Sequence, residues 1–190
     1  MNKKGMVQGR GVDASLNETG VMQAQRTYDH LASVPFEVVF TSKLIRTHQT
    51  AKAFIDAGLA HCVHEGFDEI SWGDQEGVEA TLEARNLYAE TVRGWQEGKL
   101  ELNVGGGENP LEVMHRQQEA MKEVLAHKGS TILVCMHGRA IRILLCWLLN
   151  YPLNYMDGFP HNNCAYYKLV LRNEEWFVDG FNVQDHLIGI

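Results

Sequence analysis

The feature that most constrains the fold is the apolar run Thr131 to Met136 (TILVCM), which leads straight into His137-Gly138. A strand without polar alternation is typical of a parallel sheet covered on both sides. Helical spacing then resumes from Arg139 to about Leu149. A strand that passes through His-Gly into a helix places the histidine at the carboxyl edge of the sheet, where ligand sites of open α/β folds lie.

The rest of the chain alternates in the same way, and Thr41 or Ser42 is predicted to cap the second helix. Nothing in the sequence suggests a domain boundary, so residues 1–190 are predicted to form one domain. The predicted class is a three-layer α/β/α sandwich with a mostly parallel sheet. The further predicted elements are helices at about 19–33, 44–57, 79–97 and 110–128, strands at 36–40 and about 61–65, and a hairpin of 165–171 with 176–181.

The composition narrows the possible partners. A formal net charge of −7 argues against a general nucleic-acid or anionic-membrane binder, because such partners are held by excess Lys and Arg. The longest apolar stretch, Ile141 to Leu149, is too short to span a bilayer and contains Arg142. The four cysteines lie far apart and are expected to be reduced, and no leader is recognised. A cytoplasmic location is expected.

The segment around His137 is a candidate phosphate seat. The free N–H groups of a helix N-terminus favour an anion, Gly138 would let a ligand approach the backbone, and Arg139 could add a charged donor. A strand-end histidine that makes an ordinary local hydrogen bond is the alternative.

Two further candidates follow other strands. Arg46 lies one turn into the helix after the strand Phe36–Phe40, so its guanidinium could fold back and grip a phosphate through two N–H groups. Glu69 lies in the loop FDEISWG, where burial would raise the pKa of its carboxyl towards that of a general acid. Taken alone, each residue is better explained as an ordinary exposed charge.

Taken in order, these motifs resemble the histidine phosphatase (phosphoglycerate mutase-like) superfamily. The motifs are T-S-x-L-x-R-x-x-Q-T-A, D-E-I-x-W-G-x-x-E-G and M-H-G-R-A-I-R. Asn2 to Gln8, Asp13 and Leu16 resemble the segment after the family's R-H-G motif, and Gly107-Glu108 resembles its G-E-S stretch. The resemblance extends from Asn2 to Leu187.

The resemblance implies phosphoryl transfer through a phosphohistidine, without metal or other cofactor. By motif position Arg46 would be the second arginine, His137 the second histidine and Glu69 the proton donor. Asn2 and Gln8 would be phosphate-side contacts, in addition to Gly138 and Arg139, which the residues themselves suggest. Arg139 departs from the family pattern, in which a small residue is common.

The R-H-G motif and its strand are absent from these 190 residues, and none of the nine histidines offers a substitute nucleophile. In the family that strand is central, between TILVCM and the final hairpin, so its absence would leave unpaired backbone groups. A start site placed too far downstream and a real truncation are the two explanations, and the first is favoured. Negligible turnover is predicted for the 190 residues.

The favoured function is a phosphomonoesterase acting on a small phosphorylated metabolite. A phosphoglycerate mutase is the alternative enzyme, disfavoured because residues 73–107 offer few cations (Arg85, Arg93 and Lys99). A non-catalytic phosphate-binding pseudoenzyme is the alternative outside catalysis. A homodimer is possible by strand exchange. A metal site at His61-Cys62-Val63-His64 is disfavoured, because residues three apart on a strand face opposite sides.

Overall fold

A computed structural model of the chain describes residues 6–79, 81–127 and 131–190. Asn2, a predicted phosphate contact, lies outside these ranges. None of the helices in the described ranges is long and apolar enough to cross a membrane.

Three parallel strands form the central layer, in the order β2-β1-β3. They are β1 (Phe36–Thr41), β2 (Ala60–Val63) and β3 (Thr131–Cys135). Thr41 pairs in register with both Val63 and Cys135, so all three strands end at the same edge. This shared carboxyl edge carries the segments that follow each strand.

Helices pack on the sheet and complete the three-layer α/β/α arrangement. α2 packs against α1 and against β1, while α4 packs against α5. Val38 and Phe40 of β1 share a core cluster with Val124 of α4 and Leu144 of α5. The helices are α1 (Glu18–Leu31), α2 (Ile45–Asp56), α3 (Leu82–Gln96), α4 (Pro110–Ala126) and α5 (Gly138–Leu148).

The N-terminus of α4 is capped by neighbouring residues, whereas that of α2 is capped by a residue distant in sequence. Asn109 and Glu112 form the reciprocal cap expected before Pro110 of α4. The prediction that Thr41 or Ser42 caps α2 is wrong, because the N-cap is Leu44. The carboxylate of Asp13, remote in sequence, accepts the N–H of Ile45 at 2.6 Å instead.

The C-terminal strands β4 (Tyr166–Arg172) and β5 (Glu175–Val183) form the predicted antiparallel hairpin. Its turn residues Asn173 and Glu174 both have positive φ, 50° and 68°. Positive φ at both central positions defines the turn whose twist matches two paired strands.

The hairpin is a separate two-stranded sheet. Within the described ranges, β3 pairs only with β1, and no strand lies against its other edge. Ile132 and Val134 of β3 and Leu169 of β4 nevertheless pack on the same core cluster. The expectation that TILVCM is fully covered is therefore wrong for this structure, because residues 132–135 are only half-buried. Among the described residues, one edge of this strand has no partner.

Candidate active site

The carboxyl edge brings an arginine, a histidine and a serine into direct contact. Ser42 follows β1, Arg46 lies in the first turn of α2, and His137 follows β3. The Nε of Arg46 donates to Nδ1 of His137 at 3.1 Å, and Nε2 of His137 lies 2.8 Å from Oγ of Ser42. His137 is 7% exposed and Ser42 is fully buried. Two residues predicted independently from different strand ends therefore meet.

The hydrogen bonds fix the protonation of His137. Because Nδ1 accepts from Arg46, the proton lies on Nε2, which donates to Ser42. Ser42 can then donate to Oγ1 of Thr47 at 2.9 Å, so each hydroxyl proton has an acceptor. Burial first, and then the positive charge of Arg46, holds the pKa of His137 well below its usual value. At neutral pH His137 is therefore a neutral imidazole that donates from Nε2.

Glu69 occupies the N-terminus of α5. One carboxylate oxygen accepts the N–H groups of Ile70 at 3.0 Å and Ala140 at 2.9 Å, and the other accepts that of Arg139 at 3.1 Å. Glu69 is only 9% exposed. The free N–H groups predicted to seat a phosphate thus hold an internal carboxylate, since a helix N-terminus favours any anion. Glu69 lies beside His137 through this contact.

The Arg139 side chain points to different partners. Its guanidinium donates to Asp157 at 2.6 Å and to the hydroxyl of Tyr88 at 3.1 Å. It also lies over the ring of Trp95, 5.5 Å from the centroid. Only the backbone N–H of Arg139 reaches the cluster, through Glu69, so the structure does not bring its predicted charged donor to Arg46 and His137.

Gly138 leaves space for a side chain of the protein. A Cβ at Gly138 would lie 2.8 Å from Cδ2 of His161, so the imidazole of His161 occupies the space that a larger residue would need. Gln8, the other predicted phosphate contact in the described ranges, is partly buried in the extended segment before Gly9.

The segment containing Gly9 and Val12 crosses over Arg46. NH1 of Arg46 donates to the carbonyl of Val12 at 2.7 Å, and NH2 donates to that of Gly9 at 3.1 Å. A guanidinium has five N–H donors. Together with the bond to His137, these contacts use three of them, which leaves two N–H groups of Arg46 for a ligand.

Sequence reasoning did not identify Arg116, which holds the Glu69 loop in place. Its guanidinium donates to the carbonyls of Gly66 and Asp68, both at 2.9 Å, and of Glu69 at 3.1 Å. Its Nε donates to Glu108 at 2.9 Å. A recognisable signal was present, because Arg116 lies on the buried face of α4 and an arginine there needs partners.

Asp68 and Arg10 extend the same network. Asp68, 3% exposed, accepts the N–H of Lys43 at 2.9 Å and a guanidinium N–H of Arg10 at 3.2 Å. Arg10 also donates to Glu108 at 3.2 Å. The network ties the N-terminal segment and the Glu69 loop to α4. In the described part of the chain, no three His, Cys, Asp or Glu side chains are grouped as metal ligands.

The fold, a layered parallel sheet with helices, is phosphoglycerate mutase-like. Its carboxyl edge carries an arginine, a histidine and a glutamate. The family model described as "Histidine phosphatase superfamily (branch 1)" matches residues 1–184. The chain therefore belongs to the histidine phosphatase superfamily, as its motifs predicted.

Its relatives are phosphatases and phosphoglycerate mutases by name. Phosphoserine phosphatase 1 of Hydrogenobacter thermophilus is 28% identical over 98% of this chain and 88% of its own length. A probable phosphoglycerate mutase of Yersinia enterocolitica is 27% identical over 96% and 85%. The solved structure of a mycobacterial glucosyl-3-phosphoglycerate phosphatase in complex with VO3 superposes with a TM-score of 0.84, at 25% identity over 96% and 93% of the two chains.

Proposed function

We propose that this chain is a phosphomonoesterase domain that binds the phosphoryl group of a small phosphorylated metabolite between Arg46 and His137. Glu69 is the proton donor to the leaving alcohol. The observation that carries the proposal is the 3.1 Å contact between Arg46 and His137. The Glu69 carboxylate accepts the backbone N–H of Arg139, two residues after His137.

The geometry suits charge stabilisation of a phosphoryl group. Arg46 offers its two remaining N–H groups in a planar fork, which matches two phosphoryl oxygens. His137 contributes a neutral N–H, now directed at Ser42, that a phosphoryl oxygen can accept instead. Fixed donors around a transferring phosphoryl group supply most of the rate enhancement in such reactions.

The backbone contacts of Glu69 suit the carboxylate that remains after proton transfer. In the proposed step the protonated carboxyl gives its proton to the oxygen of the breaking P–O bond, and the carboxylate that remains accepts three backbone N–H groups. These N–H groups stabilise the negative charge that proton transfer leaves on Glu69.

We further propose that the attacking histidine is not among these 190 residues. His137 is not available as a nucleophile in this arrangement, since Nδ1 accepts from Arg46 and Nε2 faces Ser42. A chain of these residues alone should therefore bind the phosphoryl group but hydrolyse phosphomonoesters negligibly.

The mutase alternative has support in the names of several relatives and little in the structure. Arg85, Arg93 and Lys99 are all exposed, and Lys99 is already paired with Glu97. They give no buried cationic pocket for a substrate carboxylate.

The pseudoenzyme alternative shares the binding step and differs only in whether an attacking histidine completes the site.

Binding of orthovanadate, measured by titration calorimetry on the 190-residue protein, tests the proposed site. Arg46→Ala should weaken binding at least about tenfold, because hydrogen bonds to a charged group contribute about 1.5–3 kcal/mol. Arg26→Ala, at an exposed arginine of α1, is the matched control. Equal affinities of the two variants would contradict the site, and rapid hydrolysis of p-nitrophenyl phosphate would contradict the absence of the nucleophile.

A further inference from the structure

His161 lies against the same corner of the sheet, although it belongs to the loop before β4. A Cβ added to Gly138 would be 2.8 Å from Cδ2 of His161 and 3.1 Å from its Nε2. The imidazole therefore rests on the residue that directly follows His137. A positive charge on His161 would also lower the pKa of His137, which places the two rings within electrostatic reach.

The loop that carries His161 is anchored on both sides. The hydroxyl of Tyr167 donates to the carbonyl of Pro160 at 2.7 Å. The side-chain amide of Asn162 donates to Oε1 of Gln184 at 2.6 Å. Because its two neighbours are tied to the hairpin, His161 is held in position before any ligand binds.

The surroundings of His161 are positively charged. Burial, and then the guanidinium of Arg142, lower the pKa of His161 to about 4. The ring is therefore neutral at neutral pH and carries one N–H donor. Within the described ranges, no hydrogen bond is formed by this ring, whereas both ring nitrogens of His137 are engaged.

We propose that His161 is a further ligand-contacting residue of this site, which donates a hydrogen bond to a phosphoryl oxygen held by Arg46 and His137. The inference rests on the proposed function, since it requires a phosphoryl group at that position. It assigns to Gly138 the role of admitting the imidazole of His161. It also adds a neutral donor from the hairpin side of the site to those supplied by Arg46 of α2 and by His137 after β3.

The test compares orthovanadate affinity in His161→Ala, His161→Gln and His115→Ala. His115 is an exposed histidine of α4 and provides the matched control. His161→Ala should weaken binding about tenfold, the size expected for one lost hydrogen bond to a charged ligand. His161→Gln, whose amide retains a donor, should recover part of that loss, which a purely space-filling role would not explain.

Imidazole ¹⁵N spectra of the unmutated protein give a second measurement. Addition of orthovanadate should shift the ring nitrogens of His161 and leave those of His115 unchanged. His161→Ala with the affinity of the control, or an unshifted His161 in the presence of bound vanadate, would overturn the inference. If Arg46→Ala also binds normally, or if the unmutated protein does not bind vanadate, the proposed function itself fails.

Discussion

Removal of the Arg116 guanidinium should be among the most destabilising substitutions of a charged residue in α4. Arg116→Met keeps most of the side-chain length but removes the donors to Gly66, Asp68, Glu69 and Glu108. The side chains of Arg116 and Glu108 are only 14% and 16% exposed. Loss of one member of a buried ion pair costs about 3–5 kcal/mol, and Glu108 would keep only the contact from Arg10 at 3.2 Å and the backbone N–H of Ser71 at 2.9 Å.

Urea unfolding followed by circular dichroism measures this cost from the shift in midpoint at constant slope. Lys122→Met is the matched control, since Lys122 and Glu119 form an ion pair on the same helix with exposures of 70% and 66%. Exposed pairs contribute about 0.2–1 kcal/mol. The two variants should therefore differ by at least about 2 kcal/mol.

A double variant separates the ion pair from the carbonyl contacts. Glu108→Gln with Arg116→Met should cost less than the sum of the two single changes, because each single change removes the same ion pair. If Arg116→Met costs no more than Lys122→Met, Arg116 does not hold the Glu69 loop as described. Strict additivity would instead show that the ion pair contributes little.

Gly138→Ala should destabilise the fold by about 1–3 kcal/mol, since the new Cβ would meet the ring of His161. In thermal unfolding, the double variant with His161→Ala should regain most of the lost stability. A double variant that regains none would contradict the contact between Gly138 and His161. Burial raises the pKa of Glu108, but the hydrogen bond and charge of Arg116 outweigh burial and leave the pKa lowered. The stabilisation that Glu108 provides is therefore complete above its unfolded pKa of about 4.3 and is lost as pH falls through its folded pKa. Glu108→Gln should reduce this loss of stability in acid, measured by unfolding at roughly pH 2–6, and an unchanged loss would contradict the prediction. Arg139→Met should destabilise the chain and leave orthovanadate affinity unchanged, because the guanidinium is bound to Asp157. A variant that keeps its stability but loses affinity would instead indicate that Arg139 contacts the phosphate.

The elements were predictable wherever their cause lies within a few residues. Asn109 and Pro110 start α4 through local hydrogen bonds, and the hairpin follows from two β-rich runs around Asn173. The start of α2 was not predictable in this way. Its N-cap Leu44 has no side-chain acceptor. The N–H of Ile45 instead donates to the carboxylate of Asp13, more than thirty residues away along the chain.

The candidate site could be predicted to the level of strand ends and no further. Parallel strands that end in register bring Ser42 and His137 to one edge, so the contact between Arg46 and His137 follows from topology. Side-chain direction does not follow from it. The aromatic and acidic partners that draw Arg139 away lie on α3 and in the turn after α5, and no local pattern pairs them.

The position of Glu69 changes where a phosphate can bind. The first turn of α5 offers only a few free N–H groups, and Glu69 accepts those of Arg139 and Ala140. A phosphate seated on the same groups would have to displace a carboxylate or lie beside it, and two anions at one helix end repel each other. In the proposed site the binding of the phosphoryl group therefore depends on Arg46. Burial lowers the pKa of its guanidinium, while the neighbouring carboxylates of Glu69, Asp13 and Asp68 oppose that shift. In this proposal the helix end holds Glu69, while Arg46 and His137 hold the phosphate.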